Sequence, residues 1–478
     1  MLENSVIKRL FILSLPGLLA GCISLDPTYQ RPTAPVPASM PQGAAYAPQT
    51  AHSMNMADTA WRDYILDARL RQVVAMALDS SRDLREAIAD VKSAQAQFGE
   101  ERSNLFPTVN AEISNTRSRS LSGVGNNTTL SNSAEADANV SSFELDLFGK
   151  NRSLTREQFE TYLGTQEGAR STQLTVIYNV VDYWITLAAD KSNLIAAQQT
   201  MESARDSLQV TQNNFNHGIL SMVDVSSAET TYQSARADVA NYTTSVAQDK
   251  NALDLAVGQS VPEALLPQNI EHLNGIMKDI PANISSTVLL NRPDVLEAEH
   301  NLKATNASIG AARANFFPSI SLTASGGVGS SQLSSLFKNG SGLWSFSPSI
   351  SLPLFTGGYN TAALKYSKAQ KELYVATYEK SVQTAFQEVA DALARRGTIQ
   401  EQLSAHKAYV SASESYYHLA DLRYRNGVDT YLNALDAQRT LYSAQQNLIS
   451  TQETYLVNLI TLYKVMGGGT SLDKPADQ

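Results

Sequence analysis

The apolar residues of this chain follow two periods, and the first of them is helical. Between residues 378 and 393 they step by three or four positions, and between 441 and 462 they recur every seven. These two stripes contain Tyr378, Val382, Phe386, Val389 and Leu393, followed by Leu441, Leu448, Tyr455 and Leu462. Such narrow stripes indicate helices that contact neighbours along a seam, because the other positions are mostly small, polar or charged.

The second period is two, and it predicts two strands in each of two regions, at about residues 108–147 and 318–354. In the last strand, Trp344, Phe346 and Ile350 alternate with serines. The alternation changes phase between Ser141 and Ser142, which indicates a β-bulge. About ten alternating residues per strand is typical of a transmembrane β-barrel, although a soluble sandwich gives the same pattern.

Hairpin loops are expected between the strands of each pair. The stretches 116–132 and 326–342 are rich in Ser, Gly and Asn, which favour turns. If the strands cross a membrane, these two loops lie outside the cell.

The two halves of the chain repeat one another. Residues 83–107 match 294–318 with an offset of 211, and residues 213–218 match 422–427 with an offset of 209. Between these landmarks, the segment 146–149 recurs as 353–358. Three landmarks in the same order and at nearly constant spacing predict a duplication.

Long helices are expected between the landmarks. No proline occurs between Pro107 and Pro262 or between Pro353 and Pro475, and an interior proline costs a helix about 3 kcal/mol. In each half the segments before the Phe-Pro pair, before the glycine turn and after it contain 24, 67 and 39 residues. A 67-residue helix is about 100 Å long, and helices of 39 and 24 residues placed end to end nearly match it.

Two details mark the ends of these helices. Both 24-residue segments open with Asp-x-x-Glu, which resembles a capping box. Gly218 and Gly427 are the expected left-handed caps of the 67-residue segments. The pattern favours helices in the wall of a hollow tube, and it leaves a solid helical bundle or a coiled-coil scaffold open as the alternative.

The N-terminus has the features of a secretory signal. Lys8 and Arg9 precede an apolar run, and Leu-Ala-Gly leads into Cys22, the only cysteine of the chain. The sequence Leu-Ala-Gly-Cys resembles the lipobox of bacterial lipoproteins, which implies acylation of Cys22 as palmitate or a similar lipid, and Ile23 after it favours the outer membrane by the same analogy. Several acyl chains anchor a protein stably without spanning the bilayer.

The prolines that follow Cys22 predict an extended leash without a core, since six of the 16 prolines lie between residues 23 and 59. The predicted organisation is a signal peptide at 1–21, a lipid-anchored tail at 22–59, a first repeat at 60–261, an equatorial linker at 262–293, a second repeat at 294–466 and a C-terminal tail at 467–478.

Composition and charge exclude several classes of protein. The net charge is −9 and Lys and Arg do not cluster, which excludes nucleic acid as a partner. The six histidines are scattered, and neither the glycines of 326–329 nor Gly149–Lys150 have the spacing of a nucleotide-binding loop. We therefore expect no catalytic residue, no metal site and no cofactor beyond the lipid.

Any membrane crossing would have to be made by the strands. After Cys22 the sequence contains no apolar run long enough for a transmembrane helix. Strands cross a bilayer only as a closed barrel, and four strands are too few to close one of useful diameter. The membrane interpretation therefore requires several copies of the chain.

The motifs of the second half resemble those of the outer membrane factor family, the TolC-like and OprM-like efflux ducts, in its lipoprotein branch. The resemblance covers nearly the whole chain after Cys22. Its most specific segments are Arg-Pro-Asp-Val at 292–295, Ile-Gly-Ala-Ala-Arg-Ala at 309–314, Phe-Phe-Pro at 316–318, Leu-Pro-Leu-Phe-Thr-Gly-Gly at 352–358 and Tyr-Arg-Asn-Gly-Val-Asp at 424–429.

The resemblance implies an α+β membrane protein with an internal two-fold repeat. A homotrimer with four strands per chain would form the transmembrane β-barrel, and its long helices would form a periplasmic barrel. The implied partners are a periplasmic adaptor and an inner-membrane pump. The implied function is an exit duct from periplasm or pump to the exterior; a type I protein secretion duct and a non-pore periplasmic scaffold remain the alternatives.

The resemblance also implies a periplasmic gate where the long and returning helices turn around. The gate elements of the family map onto Leu432, Asp436 and Arg439. A ring of leucines would dewet a constriction, and Asp and Arg would pair at its mouth. The alternative is that Asp436 and Arg439 form a surface pair on one helix, which stabilises a helix by only tenths of a kcal/mol.

Overall fold

The computed structural model describes residues 24–46, 56–121, 128–279 and 286–470. The predicted signal peptide, the predicted lipidation site Cys22 and the end of the C-terminal tail lie outside these residues. The helices are α1 (Trp61–Tyr64), α2 (Ala68–Ser80), α3 (Arg82–Ser103), α4 (Lys150–Asn216), α5 (Met222–Val257), α6 (Pro293–Ala314), α7 (Tyr359–Arg425) and α8 (Tyr431–Val465). The strands are β1 (Val109–Leu121), β2 (Thr128–Leu145), β3 (Ser319–Ser330) and β4 (Gly342–Ser351).

The two longest helices have the predicted length, since α4 and α7 contain 67 residues each. The glycine caps are confirmed as well, because Gly218 has φ +73° and Gly427 has φ +67°. In both turns the amide after the glycine donates to a carbonyl five residues back, over 2.9 Å from Ile219 to Asn214 and 2.9 Å from Val428 to Arg423. These bonds satisfy carbonyls that the helix end would otherwise leave unpaired.

The returning helices begin later than the sequence predicted. They contain 36 and 35 residues and start at Met222 and Tyr431, because the residues after each glycine complete an extended turn. Ser221 caps α5 in a capping box with Asp224, in which each side chain bonds the other residue's backbone amide. The chain therefore uses this capping motif at the turn.

The capping boxes predicted at Asp83 and Asp294 were wrong. Helices α3 and α6 contain 22 residues and start one residue earlier, at Arg82 and Pro293. Pro293 occupies the first helical position, where its missing N–H costs nothing. The carboxylate of Asp294 instead accepts hydrogen bonds from the Arg292 guanidinium, at 3.0 and 2.7 Å.

The chain forms two compact units, and each draws on both halves of the sequence. The first unit comprises the described residues within 1–33, 90–165 and 298–378, and it contains the sheet. The second comprises the described residues within 34–89, 166–297 and 379–478, and it contains both glycine turns.

The sheet is a four-stranded antiparallel meander in the order β1-β2-β3-β4. The predicted bulge is present, because Val140 pairs with Ala324 while Phe143 pairs with Leu322. The extra residue leaves Ser142 at φ +55°, and its amide donates to the Thr323 hydroxyl at 3.2 Å. The bulge keeps Val140 and Phe143 on one side of the sheet.

The strands extend further into the predicted loops than expected. Thr116 pairs with Ser133 and Leu121 pairs with Thr128, so most of the predicted loop 116–132 is strand. Likewise β3 continues through Gly326 to Ser330. Serine, glycine and asparagine are tolerated here because the partner strand satisfies the backbone, which turn statistics do not consider.

The largest fully buried side chains of the second unit are aromatic. Tyr64 stacks on Tyr463 with 4.6 Å between ring centroids, and its hydroxyl donates to the Leu459 carbonyl at 2.7 Å. Trp184 is fully buried and its indole N–H donates to the Leu265 carbonyl of the predicted linker at 3.0 Å. The linker segment therefore packs on α4 and contributes to this core.

Arg292 ties the end of the last helix into the same unit. Its guanidinium is buried and donates to the Val465 carbonyl at 2.9 Å and to Glu388 at 2.6 Å. The bond to Val465 satisfies one of the carbonyls that the C-terminus of α8 leaves free. Among the described residues, no helix is both long enough and apolar enough to cross a membrane.

Candidate functional site

One side of the sheet is apolar across all four strands. Residues that pair directly in an antiparallel sheet point to the same side, so the register decides which side chains share a face. The apolar side contains Val109, Ala111, Ile113, Ala136, Ala138, Val140, Phe143, Leu145, Ile320, Leu322, Ala324, Trp344, Phe346 and Ile350. The apolar row on β1 ends at Asn115, which pairs with Ala134.

The opposite side of the sheet is polar. Serine hydroxyls pair across the strands there, at 2.7 Å between Ser321 and Ser349 and 2.8 Å between Ser325 and Ser345. On β1 and β2 the same side presents Glu112 opposite Asp137. A sheet with this division can meet lipid on one side and water on the other.

The three side chains predicted to face lipid lie on the apolar side and are exposed in the single chain. The exposed fractions are 83% for Trp344, 61% for Phe346 and 71% for Ile350. Large apolar side chains on one continuous exposed face indicate an interaction with another apolar phase or partner. Their assignment to lipid stays a prediction.

The predicted gate residues lie together on the exposed side of α8, near its start. Leu432, Asp436 and Arg439 are spaced by four and three residues, which places them on one helix face. All three are exposed, and the Leu432 side chain has 68% of its surface free. Asp436 and Arg439 form no ion pair with each other, so the alternative of a surface pair on one helix is not observed.

The buried side of α8 connects the two helical hairpins that turn at Gly218 and Gly427. Tyr424 of α7, Tyr431 of α8 and Ala228 of α5 share one apolar cluster, with 5.3 Å between the two tyrosine rings. Burial and the neighbouring Tyr424 raise the pKa of Tyr431 to about 12, so its phenol stays neutral.

Two hydroxyl bonds connect α4 to α7 in this region. Thr211 and Tyr424 lie 2.9 Å apart, and Ser203 and Tyr417 also bond through their hydroxyls. Sequence reasoning missed these connections. Part of the signal was available, because Tyr417 and Tyr424 are seven residues apart and so share one face of α7.

Two salt bridges lie at the Gly427 turn and in the helix before it. Arg423 donates to Asp429 at 3.1 Å across the turn, and Arg425 pairs with Asp421 at 2.7 Å along α7. Hydrogen bonds from the Thr430 amide and from Arg423 hold the pKa of Asp429 below its usual value. The Arg423–Asp429 pair connects the end of α7 to the residues that lead into α8, just before Leu432.

A cluster of carboxylates lies where α4, α5 and α8 approach one another. Burial, together with the charges of Asp190 and Glu453, raises the pKa of Asp249 to about 6. Glu453 accepts a hydrogen bond from Thr186 at 3.1 Å, and burial raises its pKa as well. Among the described residues, no group of three or more His, Cys, Asp or Glu could hold a metal ion.

This cluster predicts a pH dependence of stability. The folded pKa of Asp249 lies above its ordinary value, so its protonated form stabilises the fold, and that stabilisation is lost as pH rises through about 6. We expect Asp249→Asn to stabilise the protein at pH 8 by about 1 kcal/mol, because partial exposure screens the repulsion. Thermal unfolding should show equal stability of variant and wild type below pH 4. An Asp249→Asn variant that is no more stable at pH 8 would contradict the assignment.

The one-sided sheet, the 67-residue helices and the duplicated hairpins define the class of α+β outer-membrane channels. The chain belongs to the outer membrane efflux protein family, whose model matches residues 73–259 and again residues 284–468. The double match confirms the internal repeat.

Individual relatives agree with this family. The chain is 43% identical over 409 residues to the probable efflux pump outer membrane protein TtgC of Pseudomonas putida, covering 85% of this chain and 84% of that protein. A crystal structure of a membrane protein from Pseudomonas aeruginosa matches with a TM-score of 0.86 and 35% identity, over 93% of this chain and 100% of that one. The open state of the Neisseria gonorrhoeae outer membrane channel MtrE matches with a TM-score of 0.83 and 35% identity, over 94% and 99%.

Proposed function

We propose that this chain is the exit duct of a tripartite efflux system, located in the bacterial outer membrane and extending into the periplasm. It passes substrates from the periplasm or from a pump to the exterior. The observation that carries the proposal is the sheet, apolar on one side and polar on the other, in a chain of the efflux family. The proposed function needs no catalytic residue and no cofactor other than a lipid on Cys22.

The proposed duct is a homotrimer. Four strands cannot enclose a pore, whereas three copies supply twelve, which is enough for an aqueous channel. Trp344, Phe346 and Ile350 then face lipid, and the paired serines face the lumen. The amphipathic division of the sheet supports this orientation, because lipid-facing and lumen-facing residues alternate in such barrels.

The proposed constriction lies at Leu432, Asp436 and Arg439. Their exposure on the side of α8 opposite the tyrosine cluster supports the proposal, since it leaves them free to meet their counterparts in other copies. Converging leucines would exclude water, and Asp436 would pair with Arg439 of an adjoining chain.

The proposed partners are a periplasmic adaptor and an inner-membrane pump. The name of TtgC, an efflux pump outer membrane protein, supports a pump-linked role for this chain. The test is to express the chain in a host that lacks its own duct, together with candidate adaptor and pump pairs. Restored resistance, heat-resistant β structure in detergent and conductance in a planar bilayer are expected; assembled trimers without conductance would indicate a scaffold.

Cys22 is the proposed lipid attachment site, and it lies outside the described residues. We expect Cys22→Ser to abolish incorporation of labelled palmitate, because the acylated thiol is gone. Partial export activity should survive, since the strands anchor the protein independently. Ser24→Ala serves as a control that should leave the label unchanged, and label that persists on Cys22→Ser would exclude the lipoprotein assignment.

A further inference from the structure

A short segment near the N-terminus lies along one face of α6. Its contacts are made by Glu299, Lys303, Asn306, Gly310 and Arg313, which are spaced by four, three, four and three residues. This spacing is that of a single helix face. The leash predicted from the prolines is thus extended as expected, but residues 25–31 are docked.

The segment runs antiparallel to α6 and in register with it. Arg313 donates to the Leu25 carbonyl at 2.9 Å, and Asn306 donates to the Pro27 carbonyl at 2.6 Å. At the other end Arg31 donates to Glu299 at 3.0 Å. The six steps from residue 25 to residue 31 span about 20 Å in an extended chain, and the fourteen steps from 299 to 313 span about 21 Å in a helix, so the two lengths match.

Charges are buried at both ends of this contact. The Glu299 side chain is only 4% exposed, and besides Arg31 it receives a hydrogen bond from the Tyr29 hydroxyl at 3.2 Å. Burial alone would raise the pKa of Glu299, but the bond from Arg31 and the charge of Lys303 hold it below its usual value. The Asp26 side chain is 7% exposed and bonds Ser153 and Arg156 of α4.

The docked segment also connects three helices. Asp26 joins α4 to the face of α6, and Asn306, which binds Pro27, accepts a hydrogen bond from Lys371 of α7 at 2.8 Å. Lys303 lies over the Tyr29 ring, 5.5 Å from its centroid. Removing the segment would take the Asp26 carboxylate away from Arg156 and the Arg31 guanidinium away from Glu299, which would keep only Lys303 as its ion-pair partner.

Gly310 makes the close approach possible. A β-carbon at this position would overlap the Asp26 carboxylate and crowd the Ser153 hydroxyl. The first repeat offers a natural comparison, because Gly99 is the counterpart of Gly310 at the offset of 211, and a β-carbon there would meet nothing within 4 Å. Both glycines lie in helix interiors, so only their surroundings differ.

We propose that this face of α6 is a peptide-recognition site whose ligand is the chain's own segment 25–31. The recognised peptide is extended and carries Asp-Pro followed by Tyr and Arg. Its docking holds α4, α6 and α7 together and does not depend on a lipid at Cys22.

Chymotrypsin provides the first test, because it can cut after Tyr29 only when residues 25–31 detach from α6. We expect Gly310→Ala in the full chain to accelerate cleavage between Tyr29 and Gln30 by about tenfold or more, which mass spectrometry of the product measures. The matched variant Gly99→Ala should cleave at the wild-type rate, although it makes the same change in helix propensity. Equal rates for Gly310→Ala and Gly99→Ala would overturn the proposal.

Asp26→Ala keeps the test decisive if Gly310→Ala does not fold. This variant removes the carboxylate instead of adding a clash, and it should also accelerate cleavage after Tyr29. Adding Gly310→Ala to it should have little further effect, because the Asp26 carboxylate, which makes the closest overlap, is already gone. Additive effects of the two substitutions would mean that they act at separate places.

A labelled synthetic peptide of residues 24–33 tests recognition directly. Full-length protein carrying Asp26→Ala and Tyr29→Ala should bind it saturably, since its own segment no longer holds the site. Wild-type protein should not bind, and neither should the double variant with Gly310→Ala added. Failure of the double variant to bind would overturn the recognition site, while the label test on Cys22 addresses the lipid separately.

Discussion

Phe346→Arg is expected to prevent most of the protein from assembling, whereas Ser347→Arg should assemble almost normally. The two residues are neighbours on β4 but point to opposite sides of the sheet, since Phe346 pairs with Ala324 and Ser347 with Thr323. In the proposed barrel an arginine at position 346 enters lipid, which costs about 2–4 kcal/mol per chain near the midplane. Three chains multiply this cost within each trimer, while an arginine at 347 meets the water of the lumen.

Heat-modifiable migration of the trimer on a denaturing gel measures this assembly. Phe346→Leu is the control for the loss of the aromatic ring, and it should assemble normally because it keeps an apolar side chain towards lipid. Equal impairment by the two arginine variants would mean that β4 does not cross the membrane with the proposed orientation.

The helical part of the fold could be predicted closely from the sequence because its determinants are local. Proline exclusion sets the length of α4 and α7, and Gly218 and Gly427 set their ends, so no distant contact was needed. The bulge at Ser142 was also predictable, because a change of phase must appear in the alternation itself.

The strand ends and the docked N-terminal segment could not be predicted in the same way. Residues such as Gly326 have a turn preference, but pairing with Ala138 and Trp344 overrides it. The contacts of Asp26 and Arg31 join residues far apart in the chain and follow no period. Glycines 99 and 310 look alike in the sequence, and only the structure shows that one of them accommodates Asp26.

The candidate gate was also predictable only in part: the positions of its residues follow from the sequence, but the contacts that support them do not. The sequence placed Leu432, Asp436 and Arg439 near the start of the returning helix, and the structure has them on one exposed face there. The tyrosine contacts behind them join α4, α5, α7 and α8, and they depend on how the hairpins pack. The stability of this region therefore depends on the buried tyrosine contacts and not on the charges of the exposed face.

The charges of the gate can therefore be removed without loss of the hairpin contacts. The double variant Asp436→Ala and Arg439→Ala should raise single-channel conductance severalfold and admit large antibiotics such as vancomycin, while trimer stability changes little. In a closed ring each Asp436 needs a nearby cation, because converging carboxylates repel at reduced dielectric. Arg439 forms no ion pair among the described residues of its own chain. In the proposed trimer it can therefore pair with Asp436 of a neighbouring copy. Leu432→Ser should act in the same direction by wetting the ring.

The control removes the same charges elsewhere on the hairpin, from the pair Asp421 and Arg425, which bond to each other at 2.7 Å along α7. Their double alanine variant should leave conductance unchanged, because this partly exposed pair joins two residues one turn apart on the same helix and contributes at most about 1 kcal/mol. Planar-bilayer recordings and vancomycin susceptibility compare the two double variants directly. Wild-type conductance in assembled trimers of Asp436→Ala and Arg439→Ala would place the constriction elsewhere. An equal rise in both double variants would instead mean that charge loss anywhere at the hairpin loosens it, and that Asp436 and Arg439 have no special role.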